Sequence, residues 1–215
     1  MKLISVSVAR PIELRHGDGL IKTGIFKHPV TGPVYAGRYN LEGDGQADLE
    51  NHGGAHKAVY AYSADHYPYW RETLGRKAID YGGFGENLTV AGLDETERCI
   101  GDRLQIGGAQ FTISQPRVPC YKLGIRFERA DMVKRFLQSR RLGFYLRVLR
   151  EGVIEAGQPI QRLSREPEAP TIADLALLET TGEEDRTLLQ RAVRASALTQ
   201  GWRDRYREQL DKLTG

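Results

Sequence analysis

Arg103-Leu104-Gln105-Ile106-Gly107-Gly108-Ala109-Gln110-Phe111-Thr112-Ile113-Ser114-Gln115-Pro116-Arg117-Val118-Pro119-Cys120-Tyr121-Lys122-Leu123 places two strand patterns, a turn and a reactive residue type in one run. Residues 103–106 and 109–114 read as strands, and Gly107-Gly108 between them reads as a hairpin turn. Pro119 fixes its own φ and biases Val118 toward an extended shape, so the Cys120 thiol leaves the strand end in a defined direction. Positive charge from Arg117 and Lys122 favours the thiolate, the form that attacks electrophiles and binds metals. A thiolate is a soft ligand for molybdenum, copper, zinc or iron–sulfur centres. Free cysteine is also among the most buried residue types and behaves as a small hydrophobe, so Cys120 alone leaves both readings open.

Outward from this run, residues 1–163 are glycine-rich, with short β-branched and aromatic stretches between turn signals. Further strands are expected at 2–8, 33–37, 57–62, 86–90 and 159–163, and helices at 64–74 and about 130–138. Many short strands with few helices predict a mainly β fold, a closed or strongly coiled sheet. The character changes at Ser164-Arg165-Glu166-Pro167-Glu168-Ala169-Pro170, a linker by charge and proline content. Beyond it, three amphipathic helices are expected. Thr171 caps the first with Asp174 three positions on; the second covers 183–198; Thr199 caps the third, with Trp202, Tyr206, Leu210 and Leu213 on one stripe. The division is therefore a β domain at 1–163 and a linker with a three-helix module at 164–215. Such a module is too small to be very stable alone and should dock on the β domain or on a partner. Trp202 and Tyr206 then seal either a contact within the chain or a homodimer interface.

The composition is that of an ordinary globular chain: with 27% charged residues and a net charge of +3, it gives no general argument for nucleic acid binding. The arginines of the last helix, Arg203, Arg205 and Arg207, alternate with Asp204, Glu208 and Asp211, the pattern of a solvated face. Two cysteines cannot build a disulfide framework, and Cys99 reads as structural, so a reducing cytoplasm is the expected compartment. Neither a signal peptide nor an apolar run long enough to span a bilayer is visible.

Four polar clusters punctuate the β-rich part. Lys22-Thr23 offers a charge and a hydroxyl to an anion. Asn51-His52-Gly53-Gly54-Ala55-His56-Lys57 follows Leu41-Glu42-Gly43-Asp44; His52 and His56 are four apart, but the intervening glycines argue against a helical metal site. Those glycines suit backbone amides approaching a phosphate or heterocycle, with Lys57 supplying charge. Phe84-Gly85-Glu86-Asn87-Leu88 brings flexible backbone, a carboxylate and an amide to a strand entry, and Glu86 reads as a strand-entry residue. The fourth cluster holds Arg117, Cys120 and Lys122.

Taken in order, Leu41-Glu42-Gly43-Asp44, His52-Gly53-Gly54, Lys57-Ala58-Val59, Phe84-Gly85-Glu86-Asn87-Leu88, Ile100-Gly101-Asp102 and Gln115-Pro116-Arg117-Val118-Pro119-Cys120 resemble the MOSC family. These domains are named after the C-terminal domains of molybdenum cofactor sulfurases. The resemblance covers roughly residues 1–163 and implies a MOSC-type β-barrel. Lys22-Thr23, His66-Tyr67-Pro68-Tyr69-Trp70 and the helical tail resemble the bacterial branch of 6-N-hydroxylaminopurine resistance proteins. It implies a molybdenum-cofactor (molybdopterin) oxidoreductase that reduces N-hydroxylated bases such as 6-hydroxylaminopurine to the amine, detoxifying mutagenic analogues. Cys120 is then the metal ligand, and Lys57, Gly85, Asn87 and Arg117 bind the cofactor. Lys22, Thr23 and His52 act with Cys120 in catalysis. With no cysteine cluster or dinucleotide fingerprint in the sequence, electrons are expected from a separate flavoprotein reductase. Two other readings stay open: a carrier of molybdenum cofactor or persulfide without turnover, and an adaptor acting through the tail. The absence of a desulfurase domain in cis favours the stand-alone reductase over the carrier.

Overall fold

The computed structural model describes residues 1–47, 53–182 and 185–213. Its strands are β1 (Lys2–Val8), β2 (Ile12–His16), β3 (Gly19–Thr23), β4 (His28–Val30), β5 (Val34–Ala36), β6 (Val59–Ser63), β7 (Leu88–Ala91), β8 (Arg103–Ile106), β9 (Ala109–Pro116), β10 (Phe144–Arg150), β11 (Gly152–Ile154) and β12 (Ile160–Ser164). Its α-helices are α1 (Tyr67–Leu74), α2 (Tyr121–Phe127), α3 (Met132–Ser139), α4 (Ile172–Thr181), α5 (Arg186–Arg194) and α6 (Gln200–Lys212). One eight-stranded sheet runs β12-β8-β9-β10-β6-β7-β1-β4, with two small ribbons, β11-β5 and β2-β3.

The expected barrel is corrected to a mixed α/β architecture whose large sheet is not closed. β6 and β7 are parallel, and parallel neighbours need a crossover, here carried by α1. The short strand β4 occupies the outer edge of β1 from Val6 to Val8. At its other end β1 meets the far edge of the sheet only through an isolated bridge, Lys2 to Pro159, and a few backbone hydrogen bonds such as Leu3 N to Gln158 O at 3.0 Å. The sheet curls far enough for its edges to touch, but no continuous ladder closes it.

The Gly107-Gly108 turn is confirmed, with Ile106 paired to Ala109. β6 and most of β9 are buried on both faces, which requires a covering layer on each side. One cluster joins strand residues such as Leu3, Val59, Phe111 and Leu146 to Ile172, Leu175, Leu189 and Tyr206 of the tail helices. The other is aromatic and gathers Tyr62, Trp70, Phe84, Phe127 and Phe136 beneath α1, α2 and α3.

The tail helices thus dock on the sheet. Thr171 and Asp174 form the expected capping box. Thr199 occupies the N-cap position of α6, but its side chain makes no capping bond. Tyr206 is buried within the chain and donates to Glu179 Oε1 at 3.0 Å, and Arg205 also pairs with Glu179, so this stripe is occupied internally. Among the described residues, no helix is long and apolar enough to cross a membrane.

Because Leu175 is fully buried in the shared cluster, Leu175→Ala should lower stability by about 2–5 kcal/mol. Urea unfolding should show one shifted transition for both Trp202 fluorescence and the far-ultraviolet circular dichroism of the sheet. Separate transitions would mean that the tail folds independently.

Candidate active site

β9 ends at Pro116, and Cys120 follows as the N-cap residue of α2 in extended conformation. Its carbonyl accepts the Leu123 amide at 3.0 Å, and its side chain is partly buried. The thiol-bearing residue lines an open cleft of about 740 Å³, open solvent included. Thr23 enters from the end of β3, Lys57 from the turn before β6, Tyr60 and Tyr145 from neighbouring strands β6 and β10, and Arg117 and Lys122 from either side of Cys120.

The cleft wall is tied together by two short side chains. Asn87 Oδ1 accepts the Tyr60 amide at 3.0 Å, while its Nδ2 donates to Ser7 O at 3.1 Å and to Asp44 Oδ2 at 2.9 Å. Asp44 Oδ1 also accepts the Ala9 amide at 2.9 Å and the Lys27 ammonium. Lys27 is 7% exposed; burial pushes its pKa below the ordinary lysine range, against the opposing pull of Asp44.

Arg117 is also buried. Its guanidinium lies 5.1 Å from the Tyr60 ring centre and 4.9 Å from that of Phe136, a cation–π sandwich in a water-poor setting. Burial opposes its charge, but Tyr60, Tyr145 and Cys120 hold its pKa above the ordinary value. Nη1 is buried and has no partner among the described residues. An orphan donor of this kind in a cleft wall is a place for an anionic ligand. The β2-β3 ribbon reaches α2, where His16 stacks on Tyr121 with ring centres 5.8 Å apart.

The MOSC domain family matches residues 48–161, which includes Lys57, Asn87, Arg117 and Cys120. The chain is 40% identical to the uncharacterized protein YflK of Bacillus subtilis over 98% of its own length and 95% of that protein's. This chain belongs to the MOSC family. It is 31% identical to YiiM of Escherichia coli over 84% of the chain and 81% of that protein. The crystal structure of YiiM from Geobacillus stearothermophilus superposes with a TM-score of 0.81 at 34% identity, covering 97% of this chain and 98% of that one. A Gibberella moniliformis protein named a reductase is 37% identical over 68% of this chain, which spans about a quarter (27%) of that longer protein.

Of the residues singled out from the sequence, Thr23, Lys57, Gly85, Asn87, Arg117 and Cys120 line this one cleft. Lys22 does not. Alternation along β3 buries Thr23 and leaves Lys22 exposed, and the buried cation on this side is Lys27. His52 lies outside the described residues. Asn87 spends its side-chain amide hydrogens on the protein, so it shapes the wall. Gly85 has φ +80°, and a Cβ there would lie 2.9 Å from Ile25 Cγ1; its glycine permits close packing of the 24–27 segment. Sequence reasoning missed Lys27, Tyr60 and Tyr145 as lining residues, and it set Asp44 in a polar cluster without giving it a site role. Among the described residues, no cluster of three His, Cys, Asp or Glu could hold a metal ion, and Cys99 is buried beside the tail, where burial raises its thiol pKa.

Glu86, read from sequence as a strand-entry residue, is fully buried and organises the Gly82–Gly85 loop. Its carboxylate accepts from Tyr67 Oη, from the Gly82 amide at 2.8 Å, from the Phe84 amide at 3.0 Å and from Thr89 Oγ1 at 2.9 Å. Burial raises its pKa, and the hydrogen bonds partly offset this. A folded-state pKa above the unfolded value means that stability falls as pH rises through that window. Glu86→Gln turns a donor toward donors and should cost about 1–3 kcal/mol at neutral pH by urea denaturation. The pH dependence attached to this carboxyl should disappear with it.

Proposed function

We propose that this MOSC protein is a molybdenum-cofactor-dependent reductase of N-hydroxylated bases such as 6-hydroxylaminopurine. Family membership supports the cofactor class, and the similarity to a protein named a reductase supports the reaction class. The observation that carries the reading is the buried, unpartnered Arg117 Nη1 in the same cleft as a cysteine. The residues present fit the group: the Cys120 sulfur suits molybdenum, and Arg117, Lys57 and Lys122 suit the pterin's phosphate. When bound, the cofactor would supply a two-electron centre for reductive cleavage of the N–O bond.

The chain's own residues do the rest. Cys120, extended at the start of α2 after Pro119, would be the residue that holds the metal. Arg117, held between Tyr60 and Phe136, presents its charge without a large reorganisation cost. Asn87 and Asp44 keep the facing wall in place. The reaction R–NHOH + 2e⁻ + 2H⁺ → R–NH₂ + H₂O breaks the N–O bond and draws its electrons from a separate flavoprotein reductase. Two cysteines that cannot build a disulfide framework suit a reducing cytoplasm as the compartment of this proposed chemistry.

Protein purified from a host that makes the cofactor should contain molybdenum and pterin and should reduce 6-hydroxylaminopurine with a chemical electron donor. Cys120→Ala should lose molybdenum and turnover while keeping its unfolding midpoint. Arg117→Met should weaken cofactor retention roughly 10–100-fold, the loss expected for one charge-assisted hydrogen bond. Molybdenum retention without turnover on N-hydroxylated bases would replace this reading with that of a carrier.

A further inference from the structure

The reduction consumes two protons for each N–O bond broken, and the oxygen departs readily only when it is protonated. The cations of the cleft differ in their capacity to supply that proton. Arg117 carries a guanidinium, which does not deprotonate in proteins. Lys57 and Lys122 are partly exposed. Lys27 is the buried one, and it lines the same cleft as Cys120. Its ammonium is held by Asp44, which is fixed in turn by the Ala9 amide and the Asn87 side chain.

We propose that Lys27 is a further catalytic residue of this cleft, the ammonium that gives a proton to the oxygen leaving nitrogen, with Asp44 and Asn87 as its positioning residues. The proposal rests on the reductase reading above. In the step, the N–O bond breaks and two electrons arrive from the external donor, a flavoprotein or dithionite. One proton comes from Lys27 Nζ and one from solvent, and the oxygen departs as water. Solvent at the open mouth of the cleft then restores the lysine proton. Burial favours the neutral amine, which brings proton release toward the working pH, and the Asp44 carboxylate keeps the ammonium populated before transfer. The charged and titratable groups around Lys27 are Asp44 and Glu86, and, among the other residues lining the cleft, Lys57, Tyr60, Arg117, Cys120, Lys122 and Tyr145.

The test compares wild type with Lys27→Arg and with Lys27→Gln, whose amide can still donate to Asp44 and so leaves the Asp44–Asn87 pairing in place. All are cofactor-loaded and assayed with dithionite and 6-hydroxylaminopurine. The expected result is unchanged molybdenum content and KM, a kcat lower by roughly 100-fold or more, and loss of the alkaline limb of the kcat–pH profile. Lys27→Arg keeps the charge without a releasable proton, so its failure to rescue kcat separates proton supply from charge compensation. Independently of turnover, ¹³C NMR of the lysine ε-carbons in the cofactor-free protein should show Lys27 titrating below the exposed lysines. A normal Lys27 titration, or variants with wild-type kcat and pH profile, would overturn the assignment while leaving the reductase reading intact. A loaded wild type that fails to reduce any N-hydroxylated base would overturn both.

Discussion

The cleft depends on a hydrogen-bond knot made by two side chains of modest size. Asn87 sits just before β7 and holds the backbone of β1 at Ser7 and of β6 at Tyr60, while its remaining amide hydrogen reaches Asp44. Through Asp44 the knot extends to Ala9 and to Lys27. The two strands that flank β7, the segment after the β2-β3 ribbon and the loop at 37–47 are thereby fixed relative to one another. Polar groups buried in this way must all be satisfied, because each unpaired one costs as much as several good contacts gain. The polar atoms of the Asn87 and Asp44 side chains all have partners, which holds this part of the cleft wall in one arrangement.

On the other side of the cleft the principle is reversed. Arg117 is buried, yet one of its nitrogens has no partner among the described residues. The aromatic faces of Tyr60 and Phe136 compensate part of the charge, and the rest is left for whatever enters. A protein that only needed stability would have paired or removed this guanidinium, since an apolar replacement of similar volume serves a core as well. The contrast between the paired Asn87 and Asp44 side chains and the unpartnered Arg117 Nη1 marks the cleft as a binding site more clearly than its volume does.

Much of this was legible in the sequence, and the failures have physical causes. The Gly107-Gly108 hairpin and the Thr171/Asp174 box are local, and local rules found them. β10 was missed although Phe144, Leu146 and Val148 alternate with more exposed positions in a strand's period of two. The same period could have separated Lys22 from Thr23, because adjacent residues of a strand face opposite ways. Closure of the sheet was overread: many short strands imply curling, but the parallel β6-β7 pair needs a helical crossover, and β4 takes much of the edge that a barrel would use. Lys27 carried no local signal. Its importance comes from Asp44, seventeen positions away, and from the burial of both.

The helical tail takes part in this geometry mechanically. Its linker is stitched to the segment before β8: Ile100 N donates to Pro170 O at 3.0 Å, Ile172 N to Arg98 O at 2.8 Å, and Arg165 pairs with the fully buried Asp102. Asp102 O accepts the Ile113 amide of β9 at 3.0 Å, and the Gly101 amide returns a bond to Ile113 O at 2.9 Å. β9 runs from there to Pro116 and sets the direction in which Arg117 and Cys120 leave the sheet. A separate arm reaches the same turn, because Ala173 N donates to Glu95 O at 3.1 Å and Glu95 Oε1 accepts the Gly143 amide at 2.8 Å, while Gly143 O holds the Arg117 amide at 3.2 Å. Two hydrogen-bonded routes thus run from α4 to the residues flanking the thiol. Burial of the tail helices against the sheet supplies the cohesion that keeps both routes taut, so the tail stabilises the strand that aims Cys120 without lining the cleft itself.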